Sequence, residues 1–326
     1  MQIEHFEWMR THRARFDLSS SSMSPINPDE LKPTDADALS LVAEAYDASL
    51  DEVALVHGTQ EGNFLSLIAI RKAINQTVGF LPEYEPIRVL ASALNIPTLT
   101  ARHLEDPLPR SSALVISNPN NPTGRYIDMH RLEELSGRLQ ESHSYAIVDS
   151  VFSDFVKLKI KAPLPNVIFT GSTSKFYTMS GVKLGWVIAE KDIIREVKGY
   201  ADLISPGPFD LELRYAAMAL SEKREFESRN ADIISKNERA LANLSDVIHI
   251  PGMPIAFVAS RCSVNSLELA SRLLDADVMT VPGRYFGVES GVRIGLGSVK
   301  PEDFMKAIEL VSSVIEPCVP QTSAKA

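Results

Sequence analysis

Four kinds of residue in this sequence sit directly behind short apolar runs, where a folded chain places its reactive groups. Residues 52–56 lead into His57-Gly58-Thr59-Gln60-Glu61-Gly62, and residues 113–117 into Asn118-Pro119-Asn120-Asn121-Pro122-Thr123-Gly124. Residues 145–148 lead into Asp149, and residues 167–170 into Gly171-Ser172-Thr173-Ser174-Lys175. Taken singly, each has an ordinary explanation. Asparagine and proline crowd turns, aspartate caps helices, and lysine is usually a solvated surface residue. Together they meet the needs of one chemical group. A lysine amine captures an aldehyde as a Schiff base. A carboxylate keeps a pyridine nitrogen protonated, so that the ring accepts electrons from a carbanion. A ring hydroxyl takes a neutral amide donor, and a phosphate takes backbone N–H groups at a helix start, with hydroxyls and a cation. Lys175, Asp149, Asn121 and the Gly58-Thr59-Gln60 turn supply these in that order, and the group they describe is pyridoxal 5′-phosphate. A nicotinamide cofactor is the competitor, but no G-x-G-x-x-G follows any predicted strand.

The elements that must position these residues are legible from the same runs. Residues 52–56, the glycine turn and the apolar stretch 64–70 read as strand, turn and helix. Met129, Leu132, Leu135 and Leu139 recur every three or four residues and predict a helix. Short, almost wholly apolar strands alternating with helices imply an α/β fold: a mostly parallel central sheet covered by helices on both faces. Residues 182–189 predict one more strand, antiparallel to the rest. In such a sheet ligands bind beyond the carboxyl ends of the strands, which is where the four groups fall. Residues 211–244 read as one long helix fit to link two domains. Beyond it, apolar runs at 255–259 and 292–296 and helical stretches at 267–274 and 301–315 predict a smaller α+β domain. The expected division is a large cofactor-binding domain over 31–230 and a small domain made of 1–30 with 231–326.

Composition narrows the partners. At 326 residues and 44% hydrophobic, the chain is too apolar to be disordered and large enough for two domains. No apolar run approaches the ~20 residues of a membrane-spanning helix. The acidic start, Met1-Gln2-Ile3-Glu4-His5-Phe6-Glu7, predicts no secretory leader and a cytoplasmic protein. Cys262 and Cys318 are too few for a disulfide framework or structural zinc site. A formal charge of −9 disfavours nucleic acid as a partner. The seven histidines show no metal-ligand spacing, so no metal is expected; His57 stands out only because it abuts the glycine turn. Ser19 to Ser22 read as a plain loop, and Asp35, Asp37, Glu44 and Asp47 as a solvated helix face.

On three motifs the chain resembles the class I/II aminotransferases, pyridoxal-phosphate enzymes with the aspartate-aminotransferase fold. These are Asn118-Pro119-Asn120-Asn121-Pro122-Thr123-Gly124, Tyr145-Ala146-Ile147-Val148-Asp149-Ser150, and Ser172-Thr173-Ser174-Lys175 followed by Gly181 and Gly185-Trp186. The spacings, 28 residues from Asn121 to Asp149 and 26 more to Lys175, suit that family. The resemblance runs from about residue 15 to the C-terminus. It implies that Lys175 holds the cofactor and then serves as general base and acid. It also implies that Asp149 pairs with the pyridinium and that Asn121 donates to the ring oxygen beside the substrate. Thr59 and Gln60 would offer backbone N–H groups to the phosphate, with the Ser172 hydroxyl. Tyr84, in Leu81-Pro82-Glu83-Tyr84, would stack on the ring, and Arg293, in Val292-Arg293-Ile294-Gly295, would grip the substrate's α-carboxylate with its fork.

Two departures from the pattern carry chemistry. Lys183 stands where the family has a phosphate-binding arginine, leaving a point charge without the bidentate fork, with Arg102 as a possible substitute. Phe152 stands where a tyrosine donates to the ring oxygen, which predicts a higher pKa for the cofactor's imine. Tyr46, the one tyrosine in the region where a family tyrosine reaches the partner subunit's phosphate, lies inside a helical pattern and suits that task poorly. A homodimer is implied, with amino-acid and 2-oxo-acid substrates. The expected reaction is transamination. A decarboxylase or carbon–sulfur lyase on the same scaffold is the alternative, and a non-catalytic sensor the third. The donor's identity is open, since it depends on segments such as Ser205-Pro206-Gly207-Pro208 and Gly283-Arg284-Tyr285.

Overall fold

The structure, a computed structural model, describes residues 2–27, 30–260 and 264–315; Cys262 and Cys318 lie outside them. In chain order the elements begin with α1 (Glu4–Thr11), β1 (Phe16–Asp17), α2 (Ala38–Tyr46), β2 (Val53–Val56), α3 (Thr59–Ala69), β3 (Gln76–Gly79), α4 (Glu85–Val89) and β4 (Thr98–Thr100). They continue with β5 (Ser112–Ser117), α5 (Met129–Glu141), β6 (Tyr145–Asp149), β7 (Val167–Ser172), β8 (Gly185–Ile188), α6 (Lys191–Ile204), α7 (Asp210–Ser221) and α8 (Lys223–Glu238). The last are β9 (Val247–Ile248), β10 (Ile255–Val258), α9 (Ser266–Asp275), β11 (Val278–Met279), β12 (Val281–Pro282), β13 (Val292–Gly295) and α10 (Pro301–Ile315).

Two compact units form. The first comprises Pro25–Asn121 and Arg125–Arg229; the second comprises Gln2–Ser24, Pro122–Gly124 and the chain from Asn230. The first unit is built on a seven-stranded sheet in the order β2-β8-β7-β6-β5-β3-β4. All neighbours are parallel except β8, which is antiparallel to both β2 and β7. Side chains alternate between its faces as a pleated strand requires. Leu114, Ile116, Ala146, Val148, Val167 and Phe169 join one core with Val42 and Tyr46 of α2 and Leu132, Leu135 and Leu139 of α5. Ala113, Val115, Ile147 and Ile168 join the other with Leu65 and Leu67 of α3, Ile87 of α4 and Ile194 and Val197 of α6. The sheet is therefore covered on both faces. Each fully buried leucine of α5 contributes about 1.5–3 kcal/mol, and the helix is started by Asp128, whose side chain accepts from the Arg131 N–H at 3.0 Å.

The second unit holds the antiparallel sheet β12-β13-β10-β9 and the short parallel pair β1-β11, flanked by α9 and α10.

Three features differ from the reading of the sequence. The stretch 211–244 is not one helix: Glu222, at φ −96° and ψ 22°, leaves helical geometry between α7 and α8, and a 3-10 turn follows at Arg239–Asn243. A one-residue break does not disturb hydrophobic periodicity, so the pattern ran across it. Strands β3 and β4 went unread because β3 opens on a polar residue and β4 is an exposed edge, whereas apolar runs find only strands buried on both faces. The acidic residues 35–47 do more than face solvent. Asp37 caps α2, Asp47 closes it at φ 58°, and Asp35 pairs with Arg214 at 2.9 Å.

Candidate active site

The parallel strands end along one edge of the first unit's sheet, and the sequence-predicted groups lie there. Beyond β2, Gly58 adopts φ +102° and opens α3, with no side chain capping the helix. A Cβ on Gly58 would meet Cδ and Cε of Lys183 at 3.1 Å, so the lysine's stem lies across the turn. Gly185 pairs with Val56 in register, and a Cβ there would stand 2.4 Å from the Cα of Gly58. Both glycines are thus fixed by the approach of β8 to the turn. The Thr59 hydroxyl donates to Ser172 Oγ at 2.9 Å, and Ser172 Oγ lies 2.8 Å from Ser174 Oγ. Gln60 is exposed at the first turn of α3. Free N–H groups at a helix start, three hydroxyls and a nearby ammonium make a phosphate cradle. Arg102 is no substitute for the missing arginine. It follows β4 at the sheet edge opposite β2, six strand spacings or roughly 29 Å away.

Asp149, the last residue of β6, is 5% exposed. Its carboxylate accepts from Asn63 Nδ2 at 2.9 Å and from the Val151 N–H at 3.1 Å. Burial pushes this carboxyl up to about 6, against those two hydrogen bonds and the charge of Lys175. The carboxylate therefore senses Lys175 and is still short of positive charge, as a group awaiting a protonated ring nitrogen would be. Lys175 itself is partly buried on the turn three residues beyond β7.

Asn121 is buried, and its N–H donates to Ser117 Oγ at 3.0 Å; Ser117 faces Asp149 across β5 and β6. Tyr84 is half-buried against the α3-side core. Phe152 is buried, with its ring centroid 6.1 Å from that of Phe155, and it has no hydroxyl to offer. Tyr46 is also buried, accepting from the Trp186 indole N–H at 3.0 Å, so it is held in the core of its own subunit. His57 bridges Glu212 at 3.0 Å and Ser205 at 3.1 Å.

Arg293 belongs to the second unit. It is 1% exposed, donates to the Ser19 carbonyl and lies 5.5 Å over the Phe286 ring, so it is not a solvated surface arginine. Residues 19–22 form neither helix nor strand, and within them Ser19 is fully buried with its hydroxyl on Asp17. Arg284 is exposed and 3.6 Å from Glu4.

Sequence reasoning missed Asn63, Glu83 and Ser117. Asn63 carried a signal: an asparagine four residues after Thr59, entering an apolar helix, must be hydrogen-bonded once buried. It donates to Asp149 and accepts from Thr170 at 2.6 Å.

Residues 83–311 match the family model described as aminotransferase class I and II. Capreomycidine synthase from Streptomyces vinaceus is 26% identical over 280 residues, 77% of this chain and 71% of its own length. Histidinol-phosphate aminotransferase from Moorella thermoacetica is 24% identical over 234 residues, 66% of this chain and 59% of its own length. A PLP-dependent aminotransferase from Streptococcus suis 89-1591 shares the fold, with a TM-score of 0.85 at 21% identity over 98% of both chains. The chain belongs to the aminotransferase class I and II family. It is accordingly a pyridoxal-phosphate-dependent transaminase, with amino-acid and oxo-acid substrates. Among the described residues no helix is long and apolar enough to cross a membrane.

Proposed function

We propose that the residues at the carboxyl edge of the first unit's sheet hold pyridoxal phosphate and carry out amino transfer from an L-amino acid to a 2-oxo acid. The observation that carries this assignment is Asp149: a buried carboxylate, hydrogen-bonded by Asn63, under the charge of Lys175. When bound, the cofactor supplies an electrophilic carbonyl and an electron-accepting ring. Lys175 would present Nζ as the amine of attachment and, once freed, would serve as general base and acid for the substrate's α-proton. Asp149 keeps its carboxylate on the ring nitrogen while charge develops. Asn121 donates to the ring oxygen, and Tyr84 stacks on the ring. The Gly58-Thr59-Gln60 turn, Ser172 and Lys183 take the phosphate, and Arg293 takes the substrate's carboxylate. Lys183 contributes charge without a fork, so the phosphate relies more on backbone N–H groups and hydroxyls.

The protein acts as a homodimer in the cytoplasm on this reading. Leu203, Ile204, Phe209 and Leu211 are 82%, 60%, 71% and 53% exposed in one short stretch, an apolar surface of the kind a second subunit covers. Two cysteines in 326 residues agree with a reducing compartment.

The test is direct. Protein incubated with the cofactor should gain a visible absorbance band, and borohydride should fix the label on Lys175. A panel of amino donors should then convert bound cofactor to its pyridoxamine form. A colourless protein, or a label on another lysine, overturns the assignment. Release of carbon dioxide or sulfide without that conversion favours the decarboxylase or lyase.

A further inference from the structure

Glu83 has no part in the chemistry described so far, yet it is 2% exposed and hydrogen-bonded toward two residues that do. Its carboxylate accepts three hydrogen bonds: Oε1 takes the Tyr84 N–H at 2.7 Å and the Ser117 hydroxyl at 2.5 Å, and Oε2 takes the Ser117 N–H at 2.8 Å. The Ser117 oxygen, having donated its proton to Glu83, accepts the Asn121 N–H at 3.0 Å. A cavity of about 320 Å³ lies beside Glu83 and is lined in part by Phe80, Asn118 and Asn120. A buried carboxyl is costly unless its hydrogen bonds are made, and here all of them point at the two segments that carry Tyr84 and Asn121.

We propose that Glu83 is a positioning residue of the cofactor site, one carboxyl group that sets Tyr84 directly and Asn121 through the Ser117 hydroxyl. This rests on the assignment of Tyr84 to the ring face and Asn121 to the ring oxygen. Tyr84 follows Glu83 in the chain, so the bond to its N–H fixes where the aromatic side chain leaves the loop after β3. Asn121 lies four residues beyond the end of β5, and the serine relay fixes the start of that turn. The two grips on the ring, one on its face and one on its edge, therefore share a single anchor. An amide cannot replace it. Glutamine has one acceptor oxygen, and its NH₂ end would face a donor. Burial raises the Glu83 carboxyl to about 8, with Asp149 adding to the rise and the three hydrogen bonds opposing it, so the ion that accepts all three is the form present above that pH, and binding is compared at pH 9.

The experiment is a double-mutant cycle on cofactor binding, read by the dissociation constant and by the circular dichroism of the cofactor's visible band. Glu83→Gln should weaken binding roughly tenfold, the loss of one hydrogen bond to a buried group, and reduce the dichroic band per bound cofactor. In a background lacking both anchored groups, Tyr84→Ala with Asn121→Ala, the same change should cost less than about threefold, because the groups that Glu83 positions are already gone. Ser117→Ala, which cuts the relay but leaves the backbone bond to Glu83, should show the same two effects in smaller measure and serves if Glu83→Gln fails to fold. Equal losses in both backgrounds, or a lowered melting temperature with wild-type binding and dichroism, would overturn the proposal. Wild-type protein that shows no cofactor band at all overturns the site assignment itself, so the two failures are told apart.

Discussion

Replacing Asp149 with asparagine removes one charge at the end of β6 while nearly conserving the side chain's volume. In the cofactor-free protein the carboxyl titrates at about 6, because burial outweighs Asn63, the Val151 N–H and Lys175. A protonated ring nitrogen favours the ionised carboxylate, so below pH 6 the acid must first lose its proton. From this group alone, the dissociation constant of the cofactor should rise about tenfold by pH 5 and be flat above pH 7. Asparagine does not titrate and lacks that leg. It also lacks the charge-assisted hydrogen bond at every pH, worth about 1.5–3 kcal/mol, or roughly 10- to 150-fold in affinity. The variant-to-wild-type ratio of dissociation constants should therefore shrink about tenfold from pH 7.5 to pH 5. Taking the ratio cancels the free cofactor's own titrations, and Glu83, raised to about 8, keeps its proton over most of this range. The assay is titration of cofactor into cofactor-free protein, followed by visible absorbance in half-unit pH steps. A ratio constant from pH 5 to 8, or wild-type affinity in the variant at pH 7.5, would refute the placement of Asp149 on the ring nitrogen.

Three further outcomes are expected. Gly185→Ala drives a methyl to 2.4 Å from the Gly58 Cα; backbone cannot yield as a side chain can, so a thermal melt should show a loss of at least about 1–3 kcal/mol, and inorganic phosphate should compete more effectively with the cofactor. Phe152→Tyr restores a donor toward the ring oxygen, and the pH midpoint of the bound cofactor's absorbance should fall by roughly one unit; an unmoved midpoint would show that this position does not face the ring oxygen. Arg293→Lys keeps the charge but loses the fork held between Ser19 and Phe286, so KM for amino donors should rise roughly 10- to 100-fold with a smaller change in kcat, measured by steady-state kinetics.

What the sequence determined by itself is the identity of the reactive groups and the strands that present them. Asn121, Asp149 and Lys175 each lie within a few residues of a strand whose apolar run is visible without any partner, and a group that close to a strand end is placed by local geometry. The antiparallel turn of β8 and the two-sided burial follow from the same runs; the order of the strands, which includes the unread β3 and β4, does not. What only the tertiary structure decided is how those groups are held and charged. Asn63 meets Asp149 across 86 residues, Glu83 meets Ser117 across 34, and Ser19 meets Arg293 across 274. No periodicity encodes such pairings, because each depends on which strands become neighbours and on how near a helix lies to the sheet. The resemblance marks Lys183 for the phosphate, but only the structure shows its stem lying across the Gly58 turn. The carboxyl of Asp149 is an ordinary acid in the chain. Exclusion of water at the sheet edge raises it toward 6, and desolvation is a property of the packed molecule and not of any segment.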